Sequence, residues 1–540
     1  MDDITRKALS RRTFLGGALA TGGLILAGCG SDGSASSGSG GSAGSGGSAS
    51  TPGTSSAPKT SSGSGSGGTL RLGVSTDIVP AALLRFNPSN EPLRRTLFDV
   101  LLDRGLDGKY TPSLAKSWEW STDNKTLTID LQDGVTFHSG RDLEADDVIF
   151  SLQTAMAPKS GVQVAGMLNR ATGLKASSKS QIVVTFDTPF TSYLDALATI
   201  PIVDSKTWTD VASGKQMVGT GPFTWKSWTP GSTLTMGRND SYWQSGKPHL
   251  DGIELRVIGE PQAMLAALQS GQLDLVNRLL AKDEATLQKD PRFTVAQSPG
   301  VDVYVGCSTQ DKPLDDIRVR QGIAYAIDRD RIVKQVYSGF AKASACLWGS
   351  DTPGVTSKMV NSYAYNIDKA KSLFTEAGVI GTEIELAPSP QDPAFSAAAD
   401  IVQYGLEQAG LKIKRVSVTS ADWPTRNQAY NLPALWISNI GLSASGPVAT
   451  LMAANPLTPD KNTSNFTTPE YTDKVNALLD AASDSAKETA LADVTNYMIE
   501  QAFHNTFAQA GTPLVSVKGL TDVAVDLTMA LKLADAKLAS

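Results

Sequence analysis

Histidine and cysteine are scarce here, three of each in 540 residues. His138, His249 and His504 lie far apart, and no second His or Cys stands at ligand spacing from His138, which argues against a zinc-type centre. HExxH, CxxC and P-loop motifs are missing, and no GxSxG elbow occurs outside a low-complexity stretch. Nothing in the residues speaks for an enzyme, and neither a metal nor a cofactor is expected. Charged residues make up 19% of the chain, with a net charge of −6. Arg6, Lys7, Arg11 and Arg12 against Asp2 and Asp3 give the first 28 residues a net +2, so removing them takes −6 to −8. Such acidity argues against nucleic acid as partner. The one long apolar run, 14–27, is broken by glycines and falls short of the roughly 20 residues that span a bilayer.

That run has an alternative to a transmembrane anchor. It follows Ser10-Arg11-Arg12-Thr13-Phe14-Leu15, a twin-arginine pattern, and precedes Leu26-Ala27-Gly28-Cys29, a lipoprotein cleavage box. Charged, then apolar, then small is the order of a signal peptide. The expectation is export through Arg11 and Arg12, cleavage, and lipidation of Cys29. Residues 30–68 are almost entirely Gly, Ser, Ala and Thr, a composition that cannot offset its ordering entropy by burial. About 39 such residues have an r.m.s. reach on the order of 35 Å, which suits a tethered protein.

The remainder is long enough for two or three lobes. Leu127, Ile129 and Leu131 alternate as in a half-buried strand, as do Ile253, Leu255 and Val257. Residues 261–270 read as a helix stopped by Gly271 before a strand at 273–276, a βαβ unit that requires parallel pairing. Residues 91–102 carry Leu93, Leu97, Val100 and Leu101 on one helical face. A second α/β alternation follows: helix 368–377, strand 383–386, helix 393–409, strand 411–418 and strand 434–438, with helices at 474–482 and 490–503. Between the halves lies DKPLDDIRVRQGIAYAIDRDRIVKQVY, residues 311–337. Val319, Ile323, Ala326 and Ile327 share one helical face, with a cap expected at Asp315. Asp328 restarts a second helix with Ile332, Val333 and Val336.

This stretch, with LAKSWEW from Leu114, LQDGVTFHSGRDLEADDVIFS from Leu131, VGTGPF from Val218 and GQLDLV from Gly271, resembles extracellular solute-binding proteins of family 5, the oligopeptide, dipeptide and nickel-type receptors of ABC importers. The resemblance runs from about residue 69 to 540. It implies an α/β, two-lobed periplasmic-binding-protein-like fold of class C type, with an extra subdomain in the first lobe and a ligand cleft between the lobes. The expected boundaries are 69–305 for the first lobe, with the subdomain at about 105–215, 306–495 for the second, and 496–540 for a return to the first. It further implies a monomeric, membrane-tethered extracytoplasmic receptor whose partners are a small or peptide-like ligand, an ABC permease and its ATPase. The alternatives are an envelope lipoprotein using the same fold for signalling or chaperoning, and an exported hydrolase.

Alignment with peptide-binding relatives places Asn87, Tyr304, Trp423, Asn439 and Ser445 at the cleft. In those relatives a loop carries an Asp that pairs with the peptide's α-amino group, and Ser445 stands at that position here, with Leu442 where they have Trp and Asn439 where some have Arg. A buried ammonium without a carboxylate would be uncompensated. None of the five is charged, so the expected ligand is polar and largely uncharged, or blocked at its termini. Cys307 and Cys346 form an even pair in an exported chain. They are either a disulfide closing a loop of about 40 residues, worth roughly 3–4 kcal/mol in the entropic model, or two separate buried thiols.

Overall fold

Strand alternation sets the architecture. In the computed structural model, which describes residues 67–105, 108–298, 300–526 and 528–539, the strands pair into three principal sheets. Arg11, Arg12, Cys29 and residues 30–66 lie outside the described residues. The first sheet has seven strands in the order Phe293–Ala296, Leu514–Val517, Leu275–Asn277, Thr69–Val74, Gly252–Val257, Thr233–Arg238 and Phe223–Thr229. Thr69–Val74 runs parallel to both Gly252–Val257 and Leu275–Asn277. The expected βαβ unit, with its Pro261–Gln269 helix, therefore steps over the N-terminal strand instead of joining neighbours. A four-stranded antiparallel sheet, Ala115–Trp120, Thr126–Leu131, Gln181–Phe186 and Ala171–Ser178, forms the extra subdomain. Burial alternates strictly along Thr126–Leu131, as its apolar spacing requires.

The second lobe holds six strands: Ala341–Ala343, His504–Ala510, Val301–Cys307, Leu435–Ile440, Glu383–Pro388 and Lys412–Arg415. Its helices Ile317–Ala326 and Arg329–Gln335 are the pair foreseen in the 311–337 stretch. Asp316, not Asp315, caps the first by accepting from the Arg318 N–H at 2.8 Å. Asp328 caps the second by accepting from the Arg331 N–H at 3.0 Å. Val319, Ile323, Ala326 and Ile327 are all fully buried, and they close the second lobe's own apolar core.

Two further expectations are corrected. The 91–102 helix stops at Arg94, because the Thr96 and Leu97 carbonyls accept from the Phe223 and Gly221 N–H groups at 3.0 and 3.1 Å. Pairing with the VGTGPF segment outbids local periodicity there. The crossings between lobes lie after Ala296 and after Ala510, not at 305 and 496, since His504–Ala510 pairs with Val301–Cys307 and Leu514–Val517 with Phe293–Ala296. The two crossings touch: a Cβ on Gly511 would sit 2.6 Å from the Ser298 carbonyl oxygen, so the approach requires glycine. Of the two alternatives for Cys307 and Cys346, the structure has separate buried thiols, and burial pushes each up to about 12. Among the described residues no helix is long and apolar enough to cross a membrane.

Candidate functional site

Elements of both lobes wall a cavity of about 500 Å³. The Val301–Cys307 strand supplies Tyr304, the Leu435–Ile440 strand supplies Trp436, Ser438 and Asn439, and the Asp422–Gln428 helix supplies Trp423 and Asn427. The first lobe contributes Phe86, Glu91, Gln163 and Arg278.

Tyr304, Trp423 and Asn439 thus come together as expected positions on one cavity. Tyr304 stacks on His504 with ring centroids 3.9 Å apart, and its hydroxyl oxygen accepts from the Trp436 indole N–H at 3.2 Å. Burial raises its phenol above the ordinary value. Trp436 is fully buried, and the strand beside it makes room: a Cβ on Gly306 would lie 2.2 Å from the indole ring. Asn439 is exposed toward the cavity.

Two expected residues are elsewhere. The Asn87 side chain accepts from the Ser89 N–H at 3.0 Å, capping the Pro88–Asn90 turn. It shapes the segment that presents Phe86 and Pro88 without itself lining the cavity. Ser445 is buried in a separate, water-sized pocket with Arg95, Asp103, Arg104, Asp195 and Asp526, and its hydroxyl has no partner there.

Sequence reading missed Trp436, Glu91 and Arg278. A Trp inside the apolar 434–438 strand was a usable signal. Arg278 carried none, because its place depends on a left-handed backbone, φ 61°. Arg278 Nη2 donates to both Glu91 oxygens, at 3.0 and 3.3 Å. Burial pushes the Glu91 carboxyl up to about 7, against the opposing pull of Arg278. The wall therefore contains an ion pair, which corrects the expectation of a site with no charged clamp. Among the described residues no cluster of three metal-ligating side chains occurs.

Trp423 is 3% exposed and belongs to the core while also facing the cavity. Trp423→Ala is therefore expected to lower stability by about 3–5 kcal/mol and to weaken ligand binding as well. Urea unfolding and ligand titration on the same variant check both halves.

The model of bacterial extracellular solute-binding proteins, family 5 (Middle), matches residues 109–488. This chain belongs to that family. It is 28% identical over 343 residues to the dipeptide-binding protein of Escherichia coli, a match covering 57% of this chain and 63% of that relative. The matched stretch thus spans less than two thirds of that relative's length. In fold it is similar to DppA of Helicobacter pylori in complex with the peptide STSA, with TM-score 0.74, 20% identity and coverage of 88% of this chain and 99% of that one. It is also similar to NikA of Brucella suis in complex with Fe(III)-EDTA, with TM-score 0.77, 19% identity and coverage of 86% and 98%. The family-5 chain described here has the two-lobed α/β fold of those structures.

Proposed function

We propose that this chain is a lipid-tethered extracytoplasmic receptor that captures a small polar solute between its lobes and delivers it to an ABC-type import permease. The observation that carries the reading is the cavity walled by both lobes in a member of this family. A solute touching both walls favours the closed arrangement, because only there does it make all its contacts. Two indoles offer apolar faces, and the neutral groups of Gln428, Asn439, Asn455 and Thr512 line the same space. Binding without turnover needs nothing further. Native mass spectrometry of protein purified from its host should find a co-purified small molecule that calorimetry then confirms. A chain that arrives bare and binds nothing from a broad solute panel sinks the proposal.

Tethering is assigned to Cys29. Cys29→Ala is expected to leave the leader uncleaved or to release the protein from the membrane fraction. Unchanged partition and processing of that variant would refute the anchor.

A further inference from the structure

The ion pair in the cavity wall has a direction. Among the described residues lining the cavity, Arg278 is the one cation and Glu91 the one acid. The Glu91 side chain is only 5% exposed, whereas that of Arg278 is 37% exposed. A solute therefore meets the guanidinium, with the carboxylate behind it. Arg278 spends a single nitrogen on Glu91, and among the described residues its other nitrogens have no hydrogen-bond partner. Its backbone sits in the left-handed region, uncommon for a side chain of this size. Unfavourable backbone held at a binding wall is an observation that points toward function. The planar fork matches a carboxylate in two-point geometry.

Resting on the receptor reading above, we propose that the solute carries an anionic group, a carboxylate, which seats on the open donors of Arg278. An ammonium group brought to the same place would face the guanidinium first and be repelled. The nearby amides of Asn439 and Asn455 would then serve the uncharged remainder of the solute.

A pH dependence follows. The charged groups facing Glu91 are Arg278, Arg94 and Asp526. A second carboxylate on Arg278 makes ionised Glu91 less favourable, so binding above about pH 7 draws a proton onto Glu91. Affinity should be flat below that value and fall as pH rises past it, by up to about tenfold per pH unit for one linked proton.

The test uses indole fluorescence and calorimetry on the full chain with three probe sets: N-acetylated dipeptides with free carboxylates, the same compounds as C-terminal amides, and neutral disaccharides. At least one carboxylate should bind, with its amide weaker by tenfold or more. Arg278→Gln should abolish that preference, Arg278→Lys should restore part of it, and Glu91→Gln should flatten the pH profile. The apo melting curve of each variant shows that it is folded. Amides or disaccharides binding as well as the carboxylates, or undiminished carboxylate binding by folded Arg278→Gln, overturns the anion site and leaves the receptor reading standing. Binding of none of the three sets overturns the anion site, and the receptor reading falls with it only when the purified chain also arrives bare and binds nothing from the broad panel.

Discussion

Arg329→Ala is expected to destabilise the second lobe by about 3–5 kcal/mol, through several buried acceptors losing their donor at roughly 1–3 kcal/mol each. Arg329 begins the second helix of the 311–337 stretch and is 8% exposed. Its Nε donates to the carbonyls of Ser344 and Thr506 at 3.2 and 3.1 Å. Nη1 donates to those of Ala324 and Tyr363 at 3.0 and 2.8 Å. One side chain thereby fastens a helix end, a strand of the second lobe's sheet and two loops. No carboxylate is among these partners, and burial pulls the guanidinium down to about 10. Charge burial works against the fold while the carbonyl bonds work for it. Arg329→Met separates the two, since it keeps the stem and removes charge and donors together. Urea midpoints should rank wild type above Met and Met above Ala. A Met variant as stable as wild type would show that the bonds merely balance the desolvation.

Asp302→Ala should cost a similar amount, about 3–5 kcal/mol, by stripping a buried polar group of its partner, and should weaken solute binding too. Asp302 is fully buried on Val301–Cys307, the first strand of the second lobe. One carboxylate oxygen is 2.7 Å from His504 Nε2 and the other accepts from the Thr506 hydroxyl at 2.7 Å. His504 Nδ1 already has no partner, so the variant leaves both ring nitrogens of a buried imidazole unpaired. The ring is the surface on which Tyr304 stacks, and Tyr304 is cavity wall. Asp302→Asn retains one acceptor and should lose less than half as much. Thermal unfolding read beside solute titration tests the coupling. A destabilised Asp302→Ala that binds as tightly as wild type would show that Tyr304 is held by Trp436 alone.

Legibility of the chain followed the range of the forces involved. The 126–131 and 252–257 strands and the 311–337 helices were readable because each has one apolar face and local end signals. The 91–102 helix was misread because its competitor, the backbone of Gly221 and Phe223, lies more than a hundred residues away. Tyr304, Trp423 and Asn439, expected at the cleft from family likeness, line the cavity, since likeness preserves position along a fold. The same likeness misplaced Ser445, whose loop turns into a pocket of charged side chains. Arg278 was invisible for a different reason: a left-handed arginine has no sequence mark. The Cys307–Cys346 bridge could not be judged from spacing, since pairing depends on Cα separation.

The paired crossings that follow Ala296 and Ala510 have a mechanical consequence. On either side of them the same two strand runs stay hydrogen-bonded, Phe293–Ala296 with Leu514–Val517 and Val301–Cys307 with His504–Ala510. Such a ribbon flexes easily out of its own plane, whereas in-plane shear must stretch hydrogen bonds. Any opening of the lobes would be steered along one arc, like a book on its spine. On the proposed receptor reading, capture would freeze a single soft coordinate instead of the several rotations of two freely jointed bodies, so little of a solute's contact energy would be spent on ordering the protein. Release would retrace that arc, so the permease of the proposed receptor reading would have one simple way to empty the site: prise the covers apart.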